Sequence, residues 1–110
     1  MQQSYCNENA HQVVSPTSSL HVVACLKAVA HPVRWRLLEL MSIHDDGICV
    51  CDLESQFDLS QPTISHHLRL MREAGVVVTE QRGTWVYYSV APETMQQLAS
   101  ALSQFALVKA

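Results

Sequence analysis

A chain of 110 residues has room for one domain around one core and leaves no space for a separate regulatory module. Its 48% apolar content is that of a folded protein, and with only 15% of residues charged, some apolar surface is left for a partner to cover. The formal net charge of −3 excludes a chain coated in basic residues, so any contact with nucleic acid has to use a local patch.

Residues 1–17 are polar and aperiodic, with Asn7, Asn9, Ser15 and Pro16, and are expected to form a mobile arm ahead of a domain spanning 18–110. Ser18 or Ser19 can cap a helix whose apolar positions Leu20, Val23, Leu26 and Ala30 recur at three- and four-residue steps, which predicts one buried face. Pro32 opens a second helix in which Val33, Leu37, Leu40 and Met41 share a face, and Asp45-Asp46-Gly47 ends it as a turn. A short helix is expected from Ile48 to Phe57. After Asp58-Leu59-Ser60, with Ser60 as cap and Pro62 in the first turn, another helix buries Ile64, Leu68 and Met71. Gly75 stops it, where a left-handed cap favours a residue without a Cβ. Two short helices joined in this way make a helix-turn-helix.

Beyond Gly75 the residues become β-branched and aromatic, with Val76 to Gln81 and Thr84 to Val90 flanking Arg82-Gly83, which predicts a β-hairpin with a basic tip. Pro92 then opens a last helix carrying Met95, Leu98, Leu102 and Phe105 in one apolar stripe. The expected order is four helices, a hairpin and a closing helix, a mainly α fold with a small β-hairpin.

No apolar run approaches the roughly 20 residues of a membrane span, and the first 20 residues hold Glu8 and no Lys or Arg, unlike a signal peptide's basic start. The expectation is a cytoplasmic protein with no membrane partner. Cytosolic thiols stay reduced, so Cys6, Cys25, Cys49 and Cys51 are read as thiols rather than as a disulfide framework.

Four stretches occur in order: Leu26-Lys27-Ala28-Val29-Ala30-His31-Pro32-Val33-Arg34, Ile48-Cys49-Val50-Cys51-Asp52-Leu53, Ser60-Gln61-Pro62-Thr63-Ile64-Ser65-His66-His67-Leu68 and Gly83-Thr84-Trp85-Val86-Tyr87-Tyr88. Together they make residues 20–105 resemble the ArsR/SmtB family of metal-responsive repressors, closest in pattern to its arsenite-responsive members. The resemblance implies a winged helix-turn-helix homodimer, joined through its first and last helices, that sits on double-stranded operator DNA until a bound metal ion favours release. The residues allow this independently. Gln61, Thr63, Ser65 and His66 lie near the start of the second helix of the pair and off its core stripe, where a recognition helix meets base edges. Arg69 and Arg72 would flank the groove, and Arg82 at the hairpin tip would reach phosphate or the minor groove. Taken alone, such polar residues are usually just a helix's solvated face.

Cys49 and Cys51 carry the sensing expectation. Trivalent arsenic suits soft thiolate ligands, and antimony behaves alike. On a regular helix residues i and i+2 point apart, so binding is expected to unwind or bend the start of that helix and so lower DNA affinity. The helix N-terminus is expected to depress a thiol pKa. The bland alternative is that both cysteines are small buried apolar residues. Glu54 stands where arsenite sensors of the family often carry a third cysteine, so a third sulfur has to come from elsewhere. Cys6 on the arm is the first choice, since about 12 residues of extended chain reach about 40 Å. Cys25, beside the first helix's apolar stripe, is the second. His11 and Glu54 could instead complete a zinc or cadmium site, and cadmium and lead sensors of the family are similar in using arm thiols. Organic trivalent arsenicals need only two thiols.

The family's other sensing position, on the last helix, is read as absent, because residues 92–110 hold no His, Cys or Asp and only Glu93. His21, His31, His44 and His67 have no ligand partner at a telling spacing. A thiol switch responding to oxidant or persulfide is the rival sensing mode. Enzyme chemistry is not expected: Cys-x-x-Cys beside a βαβ unit is missing, and no Ser/His/Asp or paired-carboxylate set has a credible context.

Overall fold

The computed structural model describes residues 16–106, with side chains from 19 onward. Helices α1 (Pro16–Val29) and α2 (Pro32–Ser42) lead into strand β1 (Ile48–Cys49) and helix α3 (Val50–Ser55). Helix α4 (Gln61–Glu73), strands β2 (Val77–Arg82) and β3 (Trp85–Val90) and helix α5 (Pro92–Ser103) complete the chain. The order of four helices, hairpin and closing helix is as expected, in a winged helix-turn-helix. Residues 1–15 of the expected arm, Cys6 and His11 among them, lie outside the described residues, and its last two positions are helical, since α1 begins at Pro16, two positions ahead of the expected boundary.

Local chemistry sets the helix ends. Proline stands in the first turn of α2, α4 and α5, where a missing N–H leaves nothing unsatisfied. The Ser60 hydroxyl accepts from the Thr63 N–H at 3.3 Å and caps α4. At α2 the cap is His31, whose Nδ1 accepts from the Val33 N–H at 3.1 Å. Gly75, at φ +82°, turns the chain out of α4 towards β2.

Two expectations are corrected. Ile48 and Cys49 are not helical: they form a strand that pairs antiparallel with β3, Ile48 opposite Tyr88 and Cys49 opposite Tyr87. The hairpin is thereby a three-stranded sheet in the order β1-β3-β2. A two-residue strand shows no periodicity of its own, and its partner lies far along the chain. The buried face of α1 is also not the expected stripe. Cys25, Ala28 and Val29 enter the core, while Leu20 is 70% exposed and Val23 and Ala30 are exposed as well. Helix α1 has two apolar faces, and only the one bearing Cys25, Ala28 and Val29 is covered by its own chain.

Leu37 and Met41 of α2, Leu53 of α3, Ile64, Leu68 and Met71 of α4, and Val76 and Val77 leading into β2 are fully buried around Cys25. This core holds α4 by one face and leaves the opposite face of that helix in solvent.

Candidate functional site

The two cysteines of β1 and α3 meet. Cys49 has an extended backbone, φ −63° and ψ 141°, and is the N-cap residue of α3, while Cys51 lies in the helix's first turn. That break in regularity turns both side chains together, with their sulfurs 2.8 Å apart, near enough for one atom to bridge them. The expectation that i and i+2 thiols diverge is therefore corrected: the pair sits at a strand–helix junction, and no helix has to unwind to bring it together. Cys49 is buried and Cys51 exposed, so the pair opens to solvent on one side.

The Cys51 thiol is pushed above its ordinary pKa, first by its hydrogen bond with Cys49, then by burial and by the charges of Cys49 and Asp52. The expected depression by a helix end does not prevail, because α3 has only six residues and a second thiol is in direct contact.

Among the described residues, no third His, Cys, Asp or Glu joins the pair to make a metal-sized cluster. Glu54 is half-buried on α3. Cys25 is fully buried in the core, where its thiol donates to the Ala74 carbonyl at 3.4 Å and lies 3.7 Å from Nε2 of His21; burial raises its pKa. It is a packing residue between α1 and the end of α4.

The outer face of α4 presents Gln61, Thr63, Ser65, His66, Arg69 and Arg72, all exposed, opposite the buried Ile64, Leu68 and Met71. Thr63 also shares a hydroxyl contact of 2.8 Å with the cap Ser60. His66 Nδ1 lies 2.9 Å from an Arg69 guanidinium nitrogen, and Arg69 reaches towards Glu73 at 3.9 Å. His67, one residue on, faces inward: it is 9% exposed, its ring lies 4.5 Å from that of His31, and its Nδ1 has no partner. Burial first, then the charges of His31, Arg34 and His66, lower its pKa. This coupling of the α2 cap to α4 escapes a reading by ligand spacing, since its signal is only that His67 falls on the Ile64/Leu68/Met71 side of the helix.

Arg82 closes β2 opposite Trp85, one position before the turn at Gly83. Tyr87, whose ring it covers, was not singled out by the sequence; the pairing of β1 with β3 places it beside Cys49.

At the far side of the molecule, α1 and α5 leave an apolar cleft of about 490 Å³ lined by Val22, Val23, Leu26, Leu102 and Phe105 among others. Phe105 lies beyond the end of α5 and is 80% exposed.

Residues 31–79 match the family model described as bacterial regulatory protein, arsR family. A crystal structure described as a possible transcriptional regulator for arsenical resistance superimposes with a TM-score of 0.68 at 32% identity, covering 77% of this chain and 86% of that one. The chain belongs to the arsR family. Its relatives are transcriptional regulators, not enzymes. The arsenic resistance transcriptional regulator ArsR1 of Pseudomonas putida is 40% identical over 76 residues, 69% of this chain and 59% of that protein. The cadmium resistance transcriptional regulatory protein CadC homolog of Staphylococcus aureus is 30% identical over 89 residues, 81% of this chain and 73% of its own length. This arsR-family chain thus spans less than two thirds of ArsR1. Among the described residues no helix is long and apolar enough to cross a membrane.

Proposed function

We propose that this arsR-family chain is a cytoplasmic transcriptional repressor that binds double-stranded operator DNA as a homodimer and lets go when trivalent arsenic bridges Cys49 and Cys51. The observation that carries the reading is the 2.8 Å approach of the two sulfurs at the β1–α3 junction. Soft, trivalent arsenic prefers thiolate ligands, and two are already gathered. Antimony in the same oxidation state has the same preference.

In this reading Gln61, Thr63, Ser65 and His66 meet base edges in the major groove, and Arg69, Arg72 and Arg82 meet phosphates. The apolar cleft between α1 and α5 is where the second copy docks, which places the two α4 helices for successive half-sites. For inorganic arsenite the third sulfur is that of Cys6. An organic arsenical brings its own carbon substituent to the third position and needs only the pair. Cadmium, lead or zinc is the second reading, favoured by the cadmium-resistance relative, and would recruit Cys6 or His11 as further ligands. A disulfide between the same two sulfurs is the redox alternative.

The test is fluorescence anisotropy of the protein on labelled duplex from upstream of its own gene, titrated with arsenite, zinc and cadmium under reducing conditions. Arsenite-driven release in the wild type, lost in Cys49→Ser, is the expected result. Tight binding indifferent to all three ions would leave the redox switch as the explanation, and no binding at low salt would remove the repressor.

A further inference from the structure

The wing arginine is already occupied. The Arg82 Nε and Nη2 groups donate to the same Glu80 carboxylate oxygen at 2.8 and 2.7 Å, and Nη2 also donates to the main-chain carbonyl of Asp46. The Tyr87 ring lies 4.2 Å from the guanidinium. Glu80 is paired across the hairpin with Tyr87, and Tyr87 is paired on its other side with Cys49. Directly paired residues share one face of a sheet, so Cys49, Tyr87 and Glu80 form a row that ends under Arg82.

Asp46 connects the same elements by a second path, since it belongs to the turn that feeds β1. Gly47 follows it at φ +90°, packed so closely on β3 that a Cβ would stand 2.8 Å from the Ser89 hydroxyl and 3.3 Å from the Tyr88 carbonyl. Turn, β1 and β3 are therefore one body, and Cys49 is the last residue of its β1 strand. Helix α3, which carries Cys51, packs on β1 and β3.

We infer that Arg82 is a latched DNA contact, and that capture of an inducer by Cys49 and Cys51 reaches the DNA by holding this latch shut. The inference rests on the proposed sensing role of the two thiols. In one structure the sulfurs are together and the guanidinium is turned onto Asp46, Glu80 and Tyr87. A ligand that bridges the sulfurs selects this arrangement, whereas a phosphate that takes Arg82 selects the other. Each then weakens the other by the same factor. Exposed ion pairs are weak, which suits a contact that has to open each time DNA binds. Tyr87 is the positioning residue in this scheme, acting on DNA only through Arg82.

The test uses the full chain on labelled duplex with and without arsenite, as wild type and as Arg82→Gln, Glu80→Gln, Tyr87→Phe and Tyr87→Leu. Arsenite binding is followed separately through ultraviolet absorbance of the thiolate–arsenic bonds. In the wild type arsenite is expected to weaken DNA binding about 30-fold, within the usual range of coupling between sites. In Arg82→Gln the salt slope falls by about 2 for two wings, and the arsenite factor drops to about 3 while arsenite still binds. Tyr87→Phe keeps the ring and the wild-type factor; Tyr87→Leu loses the arsenite factor as Arg82→Gln does, but keeps the wild-type salt slope because Arg82 is still present to meet phosphate. Without arsenite, Glu80→Gln tightens DNA binding several-fold, and the gain disappears in the Glu80→Gln/Arg82→Gln double variant. Release by the wild-type factor in Arg82→Gln and Tyr87→Leu would overturn the latch and leave the repressor intact. A wild type that ignores arsenite would overturn the sensing role, and with it the coupling drawn here.

Discussion

Helices α4 and α5 are built alike and end differently. Each has a proline in its first turn and one apolar stripe. In α4 the stripe is complete within the chain: Ile64, Leu68 and Met71 are all buried to within 1%. In α5 only Leu98 is buried, Leu102 is half exposed, and the stripe's expected last member, Phe105, lies past the helix end in solvent. The first helix is finished by its own chain, and what remains exposed is polar. The second presents an apolar surface facing the equally uncovered Leu20 and Val23 side of α1, as an element does when its partner is another molecule.

Breaking the stripe of α4 should therefore damage the monomer, and breaking the exposed end of the α5 stripe only the assembly. Met71→Ala removes a fully buried side chain and is expected to lower unfolding stability by about 3 kcal/mol, read from denaturant midpoints. Leu102→Glu with Phe105→Glu is expected to leave the circular dichroism of the fold in place while halving the mass in sedimentation. DNA affinity then falls about 100-fold, since two half-sites are no longer joined. Unfolding of that double variant would place α5's outer face in the monomer core instead. Ser60→Ala removes the cap of α4 and is expected to cost about 1 kcal/mol, with no change in mass.

The same contrast explains what could be read from the residues alone. The features of α4 are local: a cap three residues from the N–H that donates to it, a stripe at helical spacing and a terminating glycine lie within 16 residues, Ser60 to Gly75, and each stands where expected. The failures are non-local. Strand β1 exists because Tyr87 and Tyr88 lie beside it, and no pattern within Ile48-Cys49 announces that. Helix α1 has two apolar faces, and spacing does not say which one its own chain covers. The cysteine pair was legible as a pair, but its geometry was not, because the extended backbone of Cys49 follows from the strand. Arg82 was legible as a basic tip; its engagement by Asp46 is again a contact between distant segments.

The smallest effect at neutral pH concerns the one polar residue on the buried side of α4. His67 is enclosed with an unpartnered Nδ1, beside His31 and near the Arg34 guanidinium, and its pKa is lowered by burial and by those charges. In the unfolded chain its imidazole returns to the ordinary value of about 6.5. Above that pH both states hold it neutral, and stability does not depend on it. As pH falls below about 6.5 the unfolded chain takes up a proton that the folded chain refuses, so stability is lost until the lowered folded value is reached. His67→Gln carries no such proton, and denaturant midpoints measured from pH 7.5 to 5.5 should fall more steeply in the wild type than in the variant. Parallel curves would assign the acid sensitivity to another group and leave the burial of His67 without a protonation cost. Converging curves would mark the α2–α4 junction as the place where the otherwise apolar core has a polar weakness, in contrast to the α1–α5 face, which has no buried titratable group among its lining residues.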